Sequence, residues 1–467
     1  MKLPNYLPKE YYLTSDDMPL YEGTATFAFC NVLFKKGMGN SIATFDLLVR
    51  DMPNNRNFML FGGLEEMIVH ILKLRFKDKH IKSLLKAGLI DKEFSAYLKK
   101  FKFSGSVYAM PEGTPFFPGE PVLRVIAPVI EAHLFYLSFL TILISNTVFL
   151  TKAIRVSLAA GEKSLLTAAA RAHGFEAGYK LVRSAYLTGF STSIQLSPGE
   201  KLKIPIPVKI YKSTFHSYIK SFPTEFEAMM SFAERFSDGE ATLMVDTYGL
   251  ENGMESAIKV CQKLKEKGKS INAVFVDSGD LYEGAVYARK KLDEAGLPNV
   301  KIVLASNMDE WKIKKVLDKG APVDSFMVVS DLSVSLDDPK LEVVYKMAEL
   351  DDGKTVRQTM KLSVGKKSFP GRKQVFRIEK DGKFVKDTIG IENENVTGEK
   401  LLIPMIKKGK LAYKLPRLEE IKEYIKKEVK KLPEQYKQLE VQSPVYPVAI
   451  SLKMQELIEE VEKQHKI

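Results

Sequence analysis

Short apolar runs alternate with amphipathic segments over the central part of the chain. The runs cover residues 241–246, 273–276, 301–305 and 325–329, and they are typical of buried strands because they are short and rich in β-branched residues. Helical patterns separate them, so a strand and a helix repeat about every thirty residues, which predicts parallel strands with crossover helices in a barrel or an open sheet. Each run ends in polar residues, and a ring of polar strand ends favours the barrel.

The flanking regions follow other patterns. Short predicted strands and helices mix in residues 1–130, and strands return between 341 and 377. Long helical patterns fill 131–158 and 162–188, and a Pro-interrupted connection follows at 196–207. These regions therefore predict a second α/β unit and a set of packing helices around the central repeat.

The predicted fold class is an irregular parallel α/β barrel with an α/β sandwich domain and a helical C-terminal tail. The tail is assigned as helical because apolar residues such as Ile421, Ile425 and Val429 recur at three- and four-residue intervals. The predicted domains are the sandwich at 1–130, completed by 345–410, the barrel-like domain at 131–344, and the helical extension at 411–467.

Two carboxylates follow the apolar run at 273–276. Asp277 and Asp280 flank a hydroxyl and a flexible glycine in a predicted strand-to-helix loop, where ligands of parallel α/β folds bind. The two carboxylates could bind sugar hydroxyls, or Mg²⁺ carried by a diphosphate. The alternative is a loop whose aspartate caps the following helix.

Composition and charge leave the class of partner open at first. The 467 residues are 45% hydrophobic and 27% charged, an ordinary globular composition that suffices for two or three packed units. A net charge of +12 attracts anions, including phosphorylated metabolites and nucleic acid. However, the lysines are spread along amphipathic segments without an RNA-binding signature or a basic arm, so we predict a solvated surface and no nucleic-acid partner.

Cysteine usage and hydropathy predict a cytoplasmic protein with no membrane partner. Cys30 and Cys261 cannot form a disulfide framework and are expected to be buried thiols in a reducing compartment. There is no CxxC, no HExxH and no cluster of the six histidines, so no structural metal site is expected. The first residues lack the apolar core of a signal peptide. The uncharged run at 134–150 is short for a membrane span and contains Asn146, which favours a buried helix.

Motif searches exclude several classes of enzyme and leave a small set of candidates. No GxGxxG precedes a helix, no nucleophile elbow is present, and the P-loop-like ending at 268–270 has Lys263 where the first glycine is required. A lone histidine is more often structural, but His216 follows a hydroxyl pair after a predicted strand. The candidates are His216, Asp246, Asp277 and Asp280, with cations from Arg171, Lys361 and Arg372.

Several segments between about Leu13 and Arg377 follow one another with a recognisable order and spacing. They are 45–53, Gly62-Gly63-Leu64-Glu65, Glu112-Gly113-Thr114, Pro118-Gly119-Glu120-Pro121, 146–153, Asp246-Thr247-Tyr248, 276–281, 292–297, Val344-Tyr345-Lys346 and Pro370-Gly371. In these segments the chain resembles the nicotinate phosphoribosyltransferase family, with nicotinamide phosphoribosyltransferase as a more distant relative.

The resemblance implies a homodimer with sites at the interface and a reaction that joins nicotinate to phosphoribosyl diphosphate. It implies ATP hydrolysis through a phosphohistidine, for which His216 is the match, and Mg²⁺ with the diphosphate substrate. The residues assigned on this basis are His216, Asp277 and Asp280 for catalysis, and Arg171, Ser213, Asp246, Ser278, Ser330, Lys361 and Arg372 for substrate binding.

Departures from the family pattern leave the base and the activity open. The family's stacking Tyr aligns with Met18, the first of its paired arginines with Ala170, and the Arg before the Asp-Ser-Gly-Asp segment with Phe275. Its glycine-rich phosphate loop aligns with residues 327–330, where side chains limit the approach of a phosphate to the backbone. The alternative function is therefore a divergent homologue with altered base specificity, or a non-catalytic binding or regulatory subunit.

Overall fold

The computed structural model describes residues 13–167, 173–193, 195–204, 212–236, 238–363, 365–366 and 368–465. Its strands are β1 (Ile42–Val49), β2 (Met59–Leu60), β3 (Ser106–Ala109), β4 (Pro115–Phe116), β5 (Pro121–Pro128), β6 (Ser164–Thr167), β7 (Thr192–Ser193), β8 (Lys212–Ser213), β9 (Ala241–Met244), β10 (Ala273–Val276), β11 (Lys301–Leu304), β12 (Ser325–Val328), β13 (Val343–Asp351), β14 (Val356–Gln358), β15 (Lys373–Lys380), β16 (Lys383–Ile391), β17 (Glu399–Lys400), β18 (Ile403–Lys407), β19 (Lys410–Leu411) and β20 (Val448–Ile450).

The helices lie between and after these strands. They are α1 (Thr24–Lys35), α2 (Leu64–Lys73), α3 (Asp78–Lys86), α4 (Lys92–Lys99), α5 (Val129–His133), α6 (Tyr136–Ala160), α7 (Phe175–Leu187), α8 (Leu196–Leu202), α9 (His216–Ile219), α10 (Glu225–Arg235), α11 (Leu250–Glu266), α12 (Leu281–Glu294), α13 (Glu310–Asp318), α14 (Ser330–Val334), α15 (Leu418–Lys431) and α16 (Leu452–His465).

A curled parallel sheet forms the centre of the molecule. Its strand order is β7-β6-β12-β11-β10-β9-β8, and every recorded pairing within it is parallel. The strands at the two open edges are β7 and β8. If these two are taken as neighbours in a ring, the strands follow one another around it in chain order from β6 to β12. The predicted irregular α/β barrel is confirmed as the fold class.

Both faces of the parallel sheet are buried, which explains the continuous apolar runs in the sequence. Along β10, Val274 and Val276 belong to the large core on the helix side, whereas Phe275 belongs to a smaller cluster on the opposite face. The same alternation places Met244 and Met327 in the smaller cluster. That cluster fills the concave side of the sheet with apolar side chains.

A second sheet, antiparallel and seven-stranded, has the order β14-β13-β1-β5-β3-β18-β19. Its strands come from both the N-terminal part of the chain and the part after residue 342. A four-stranded sheet, β17-β15-β16-β20, accompanies it. The domain boundaries given above stay a prediction, since sheet membership alone does not define them.

One local expectation was wrong. The helix predicted at 162–188 begins instead with β6, which joins the parallel sheet, and only then forms α7. Pairing within the sheet decides the local structure there over the chain's own pattern. The connection at 196–207 contains the short helix α8, and the helical C-terminal tail also contains β20, which pairs with β16.

The apolar helix α6 is long and apolar enough to span a membrane by length and composition alone. Within the fold, 67% of its apolar window is buried. It packs against α7 and α13 as a core helix, in agreement with the buried helix predicted at 134–150.

Candidate active site at the carboxyl edge of the parallel sheet

The carboxyl ends of β8, β9 and β10 bring a histidine, two carboxylates and two hydroxyls together. His216 Nδ1 lies 3.1 Å from Thr247 Oγ1, and its Nε2 lies 3.9 Å from Asp277 Oδ2. Asp246 Oδ2 accepts hydrogen bonds from the Asp277 N–H and the Ser278 hydroxyl, each at 2.7 Å. The side chains of His216 and Asp277 are 40% and 35% exposed, so solvent and ligands reach both groups.

The strand ends are held in place by buried polar contacts just below the site. The Thr214 side chain is buried, and its Oγ1 accepts a hydrogen bond from the Met244 N–H at 2.8 Å, while the Thr214 N–H donates to Thr242 O at 3.0 Å. These bonds tie the residue after β8 to β9 and so place His216 over Thr247. The Ser213 hydroxyl donates to Thr214 O at 2.9 Å.

Gly253 allows α11 to lie directly against the end of β9. A Cβ at this position would meet the Val245 carbonyl oxygen at 1.9 Å, so any side chain would push the helix away. The residue after Val245 is Asp246, and the close approach therefore fixes the strand end that carries the central carboxylate. This is a position where only glycine fits.

Glu225 is an additional carboxylate near the site that the sequence did not reveal. It is the first residue of α10 and is only 7% exposed. Burial raises the pKa of Glu225, and the charge of Asp246 raises it further, while the Tyr248 N–H acts in the opposite direction. The signal available in the sequence was an acidic residue in the first turn of a helix, which is too common to single it out.

The carboxylates fit a cation that arrives with a ligand better than a metal cage made by the protein. Over the described ranges, no group of three or more His, Cys, Asp or Glu is arranged to hold a metal ion. Asp246 Oδ1 is buried and has no hydrogen-bond partner among the described residues. One or two protein carboxylates at an open edge match the way Mg²⁺ binds when phosphates supply its other ligands.

Asp280 caps helix α12. Its Oδ1 accepts hydrogen bonds from the N–H groups of Tyr282 at 2.9 Å and Glu283 at 3.1 Å. The pKa of Asp280 is lowered, mainly by the hydrogen bond that it accepts from the Glu283 N–H. Asp280 therefore makes the helix-capping contacts that the sequence offered as an alternative. The catalytic role of Asp280 stays a prediction.

The other predicted binding residues are more scattered. Ser330 begins α14 directly after β12, at the same edge of the sheet as Asp277. Arg372 pairs with Glu349 of β13 at 2.7 Å, and the Lys361 backbone bonds with Ser368, so both cations lie beside the antiparallel sheet. Arg171, with Ala170, lies outside the described residues.

A cluster of cations surrounds Lys346 on the antiparallel sheet. Burial lowers the pKa of Lys346, and the positive charges of Lys361, Arg50 and Lys366 lower it further. No acid is paired with these four side chains within the part of the chain that the structure describes. The sequence placed only Lys361 among the candidates, and the pairing of β1 with β13 brings Arg50 and Lys346 together.

Phe275 lies in the apolar cluster on the concave face and is 2% exposed. Its neighbours there include Met244, Val303 and Met327. An arginine at this position would thus point into the barrel-like interior, two residues before Asp277. In this chain the same interior is lined with apolar side chains.

Comparisons with known proteins agree with the resemblance seen in the sequence. The nicotinate phosphoribosyltransferase (NAPRTase) N-terminal domain matches residues 22–144, and the nicotinate phosphoribosyltransferase C-terminal domain matches residues 390–458. The crystal structure of human nicotinic acid phosphoribosyltransferase shares the fold, with a TM-score of 0.81 over 94% of this chain and 99% of that one at 22% identity.

Two relatives are similar over almost their whole length. Nicotinate phosphoribosyltransferase pncB2 of Mycobacterium tuberculosis is 34% identical over 412 residues, which cover 88% of this chain and 86% of the relative. The nicotinate phosphoribosyltransferase of Bacillus subtilis is 31% identical over 474 residues, covering 95% and 94%. This chain belongs to the nicotinate phosphoribosyltransferase family.

Proposed function

We propose that this protein joins nicotinate to phosphoribosyl diphosphate, releasing diphosphate and forming nicotinate mononucleotide for NAD salvage. The observation that carries the proposal is the convergence of His216, Asp246, Asp277 and Ser278 at one strand edge, in a chain that is 34% identical to a nicotinate phosphoribosyltransferase. The proposed location is the cytoplasm, which suits two buried free thiols, Cys30 and Cys261.

The carboxylates at the strand ends suit the ribose part of the reaction. As the bond from ribose C1 to diphosphate breaks, positive charge develops on the ribose ring, and the nicotinate nitrogen then forms the new bond to C1. Asp277 and Asp246 place negative charge where that charge develops, and fixed charges stabilise a transition state more than they stabilise bound substrate. Mg²⁺ bound to the diphosphate would neutralise the leaving group.

His216 is oriented for transfer of a phosphoryl group from ATP. If Nδ1–H donates to Thr247 Oγ1, Nε2 keeps its lone pair and faces the open side near Asp277. Nε2 can then attack the γ-phosphorus of ATP as the bond to ADP breaks. Hydrolysis of the phosphohistidine would return the free imidazole, and coupling of this cycle to the main reaction favours the mononucleotide.

We also propose a homodimer in which the Lys346 cluster of one copy faces the strand-edge site of the other. The described residues of the site are mainly acidic, whereas the substrate is a diphosphate, which cations bind well. Lys346, Lys361, Arg50 and Lys366 lack acidic partners in the described chain, as expected for groups that bind an anion. The resemblance implies sites at a subunit interface.

Phe275 favours a second candidate, a phosphoribosyltransferase that prefers a neutral base. Among the described residues, the interior next to Asp277 is lined by apolar side chains that offer no cation to a base carboxylate. A charged group that enters such a surrounding without a partner loses its hydration and gains little in return. A pyridine with an uncharged substituent avoids this cost.

A direct assay tests both candidates. Purified protein is incubated with phosphoribosyl diphosphate, Mg²⁺ and either nicotinate, nicotinamide or quinolinate, with and without ATP, and mononucleotides are separated by chromatography. Product from nicotinate supports the main proposal, and product from nicotinamide alone supports the second. No product from any base, with Asp277→Asn as the inactive reference, contradicts both.

A further inference from the structure

A buried network of ion pairs lies beside the candidate site and outside the residues assigned to it. Lys152 of α6 lies 2.6 Å from Glu310 Oε2 and 2.9 Å from Asp337 Oδ1. Arg155 contacts Glu310 Oε1 at 3.0 Å, and Arg56 contacts Asp337 Oδ1 at 3.1 Å. The Lys152 and Glu310 side chains are 2% and 0% exposed.

The two acids of this network belong to segments that leave neighbouring strands at the carboxyl edge. Glu310 is the first residue of α13, which follows β11, and Asp337 comes shortly after α14, which begins at Ser330 behind β12. A single ammonium group therefore joins the segments behind two strands. α6, which supplies it, is a long core helix and gives the ammonium a fixed position.

Both segments contain backbone conformations that need support. Ser306 and Asn307 have φ values of 80° and 47°, and Ser335 has a φ of 45°. Each such residue costs about 1–3 kcal/mol and persists only where its surroundings hold it. Arg56 donates to Ser335 Oγ at 3.3 Å, and Ser335 Oγ donates to Asp338 O at 3.0 Å, so the network reaches the turn at Ser335 directly.

Charge balance shows that Lys152 is not needed to neutralise the network. Without it, Arg155 still pairs with Glu310 and Arg56 with Asp337, one cation for each acid. A buried charge is costly unless it is well paired, and buried ion pairs contribute little net stability. What Lys152 adds is the connection between the two pairs.

We propose that Lys152 is a positioning residue that fixes the segment beginning at Ser330 relative to the end of β11, and so aligns the edge where the diphosphate of phosphoribosyl diphosphate binds. This role rests on the proposed function. The ammonium acts through Asp337 and Glu310 and does not touch substrate. Its charge also lies near Asp331, the residue after Ser330, and lowers the pKa that burial otherwise raises there.

The test is Lys152→Met, which fills a similar volume without the charge and leaves the two one-to-one pairs intact. We expect the variant to fold, with kcat/KM for phosphoribosyl diphosphate reduced by about 10- to 100-fold, as small misplacements of binding groups do. The loss should appear mainly as a higher KM for phosphoribosyl diphosphate, with KM for the base unchanged. Lys152→Arg keeps a cation that reaches both acids, and it should recover part of the lost kcat/KM.

The matched control is Arg377→Met, which removes another buried cation, paired with Asp387 in the four-stranded sheet. We expect this control to lose thermal stability while kcat/KM per folded molecule stays at the wild-type value. Unchanged KM in Lys152→Met, or the same kinetic loss in the control, would overturn the positioning role. Wild-type protein that neither turns over nor binds phosphoribosyl diphosphate would overturn the proposed function itself, and the role with it.

Discussion

The hydroxyl of Thr247 leaves Nε2 of His216 available for the proposed chemistry when it accepts the proton of Nδ1. At 3.1 Å it is the partner of Nδ1, and the other nitrogen faces Asp277. The two ring nitrogens of a histidine are not equivalent, because a bond at one sets the proton at the other. A small side chain that the sequence shows only as part of a strand end thus controls the proposed chemistry.

Thr247→Val tests this directly. Loss of one neutral hydrogen bond corresponds to about 0.5–1.5 kcal/mol, so we expect the ATP-dependent rate to fall by up to about tenfold, while the rate without ATP stays the same. Steady-state assays with and without ATP measure the two rates separately. Thr247→Ser keeps the hydroxyl and should behave as wild type; an equal loss in both variants would show that the bond has no role.

Phe275 offers a second prediction at the scale of one residue. Phe275→Arg places a cation in the apolar interior next to Asp277, so we expect lower thermal stability together with a shift of base preference toward nicotinate. The ratio of kcat/KM for nicotinate and nicotinamide measures the shift. Phe275→Met, which is apolar and of similar size, should leave the ratio unchanged, and an unchanged ratio in Phe275→Arg would exclude Phe275 from base selection.

Helix α12 shows how one residue serves both an element and a site. Asp280→Ala removes the cap and should cost about 0.5–2 kcal/mol of unfolding free energy, whereas Asp280→Ser keeps a capping oxygen and should restore it. If the carboxylate also binds the ribose, Asp280→Ser will still have a reduced kcat/KM. Urea unfolding and steady-state kinetics separate the two effects. A serine variant with full activity would reduce Asp280 to a cap.

The C-terminal strand β20 is anchored near a buried group of charges that predicts a pH dependence. Burial raises the pKa of Glu120 well above its ordinary value of 4.5, and the neighbouring Asp387 carboxylate raises it further. Asp387 also accepts a hydrogen bond from the Tyr446 hydroxyl at 3.1 Å, just before β20. Glu120 is therefore protonated in the fold at pH values where the unfolded chain has already lost that proton.

The sign of the effect follows from proton binding. Above the ordinary pKa the folded state holds one proton more than the unfolded state, so stability falls as pH rises toward the raised pKa. Glu120→Gln imitates the protonated form and should remove this fall. Unfolding midpoints in urea, measured from pH 4.5 upward, provide the comparison. Parallel curves for wild type and variant would contradict the assignment.

Helices and strands could be predicted from the sequence where the local hydrophobic pattern and the tertiary contacts favour the same structure. The runs that became β9 to β12 are short, apolar and followed by amphipathic helices, so their periodicity sufficed. Strand β6 was missed because Ser164–Thr167 follows a long helical pattern, and only pairing with β12 makes it a strand. The polar residues at the strand ends were candidates from the sequence alone. Glu225 and the Lys346 cluster could be recognised only once the fold showed which residues lie close together.

At the scale of the whole molecule, acidic and basic halves of the proposed site are separated. Asp246 and Asp277 lie at the edge of the parallel sheet, and the Lys346 cluster lies on the antiparallel sheet. In a closed two-fold dimer, two groups that meet across the interface do so twice, so the Lys346 cluster of each copy can face the strand-edge site of the other. Exposed Phe29 and Val32 on α1 add an apolar face that suits contact between copies.

Subunit complementation tests this arrangement. Asp277→Asn removes a strand-edge carboxylate, and Lys346→Ala with Lys361→Ala removes two cations of the cluster. Each parent is expected to be nearly inactive. Mixed dimers, purified by two different affinity tags, contain one site with both lesions and one site with neither. If the cations act across the interface, mixed dimers recover activity from the intact site, whereas cations that act within their own subunit leave every site damaged and the mixed dimer as inactive as its parents.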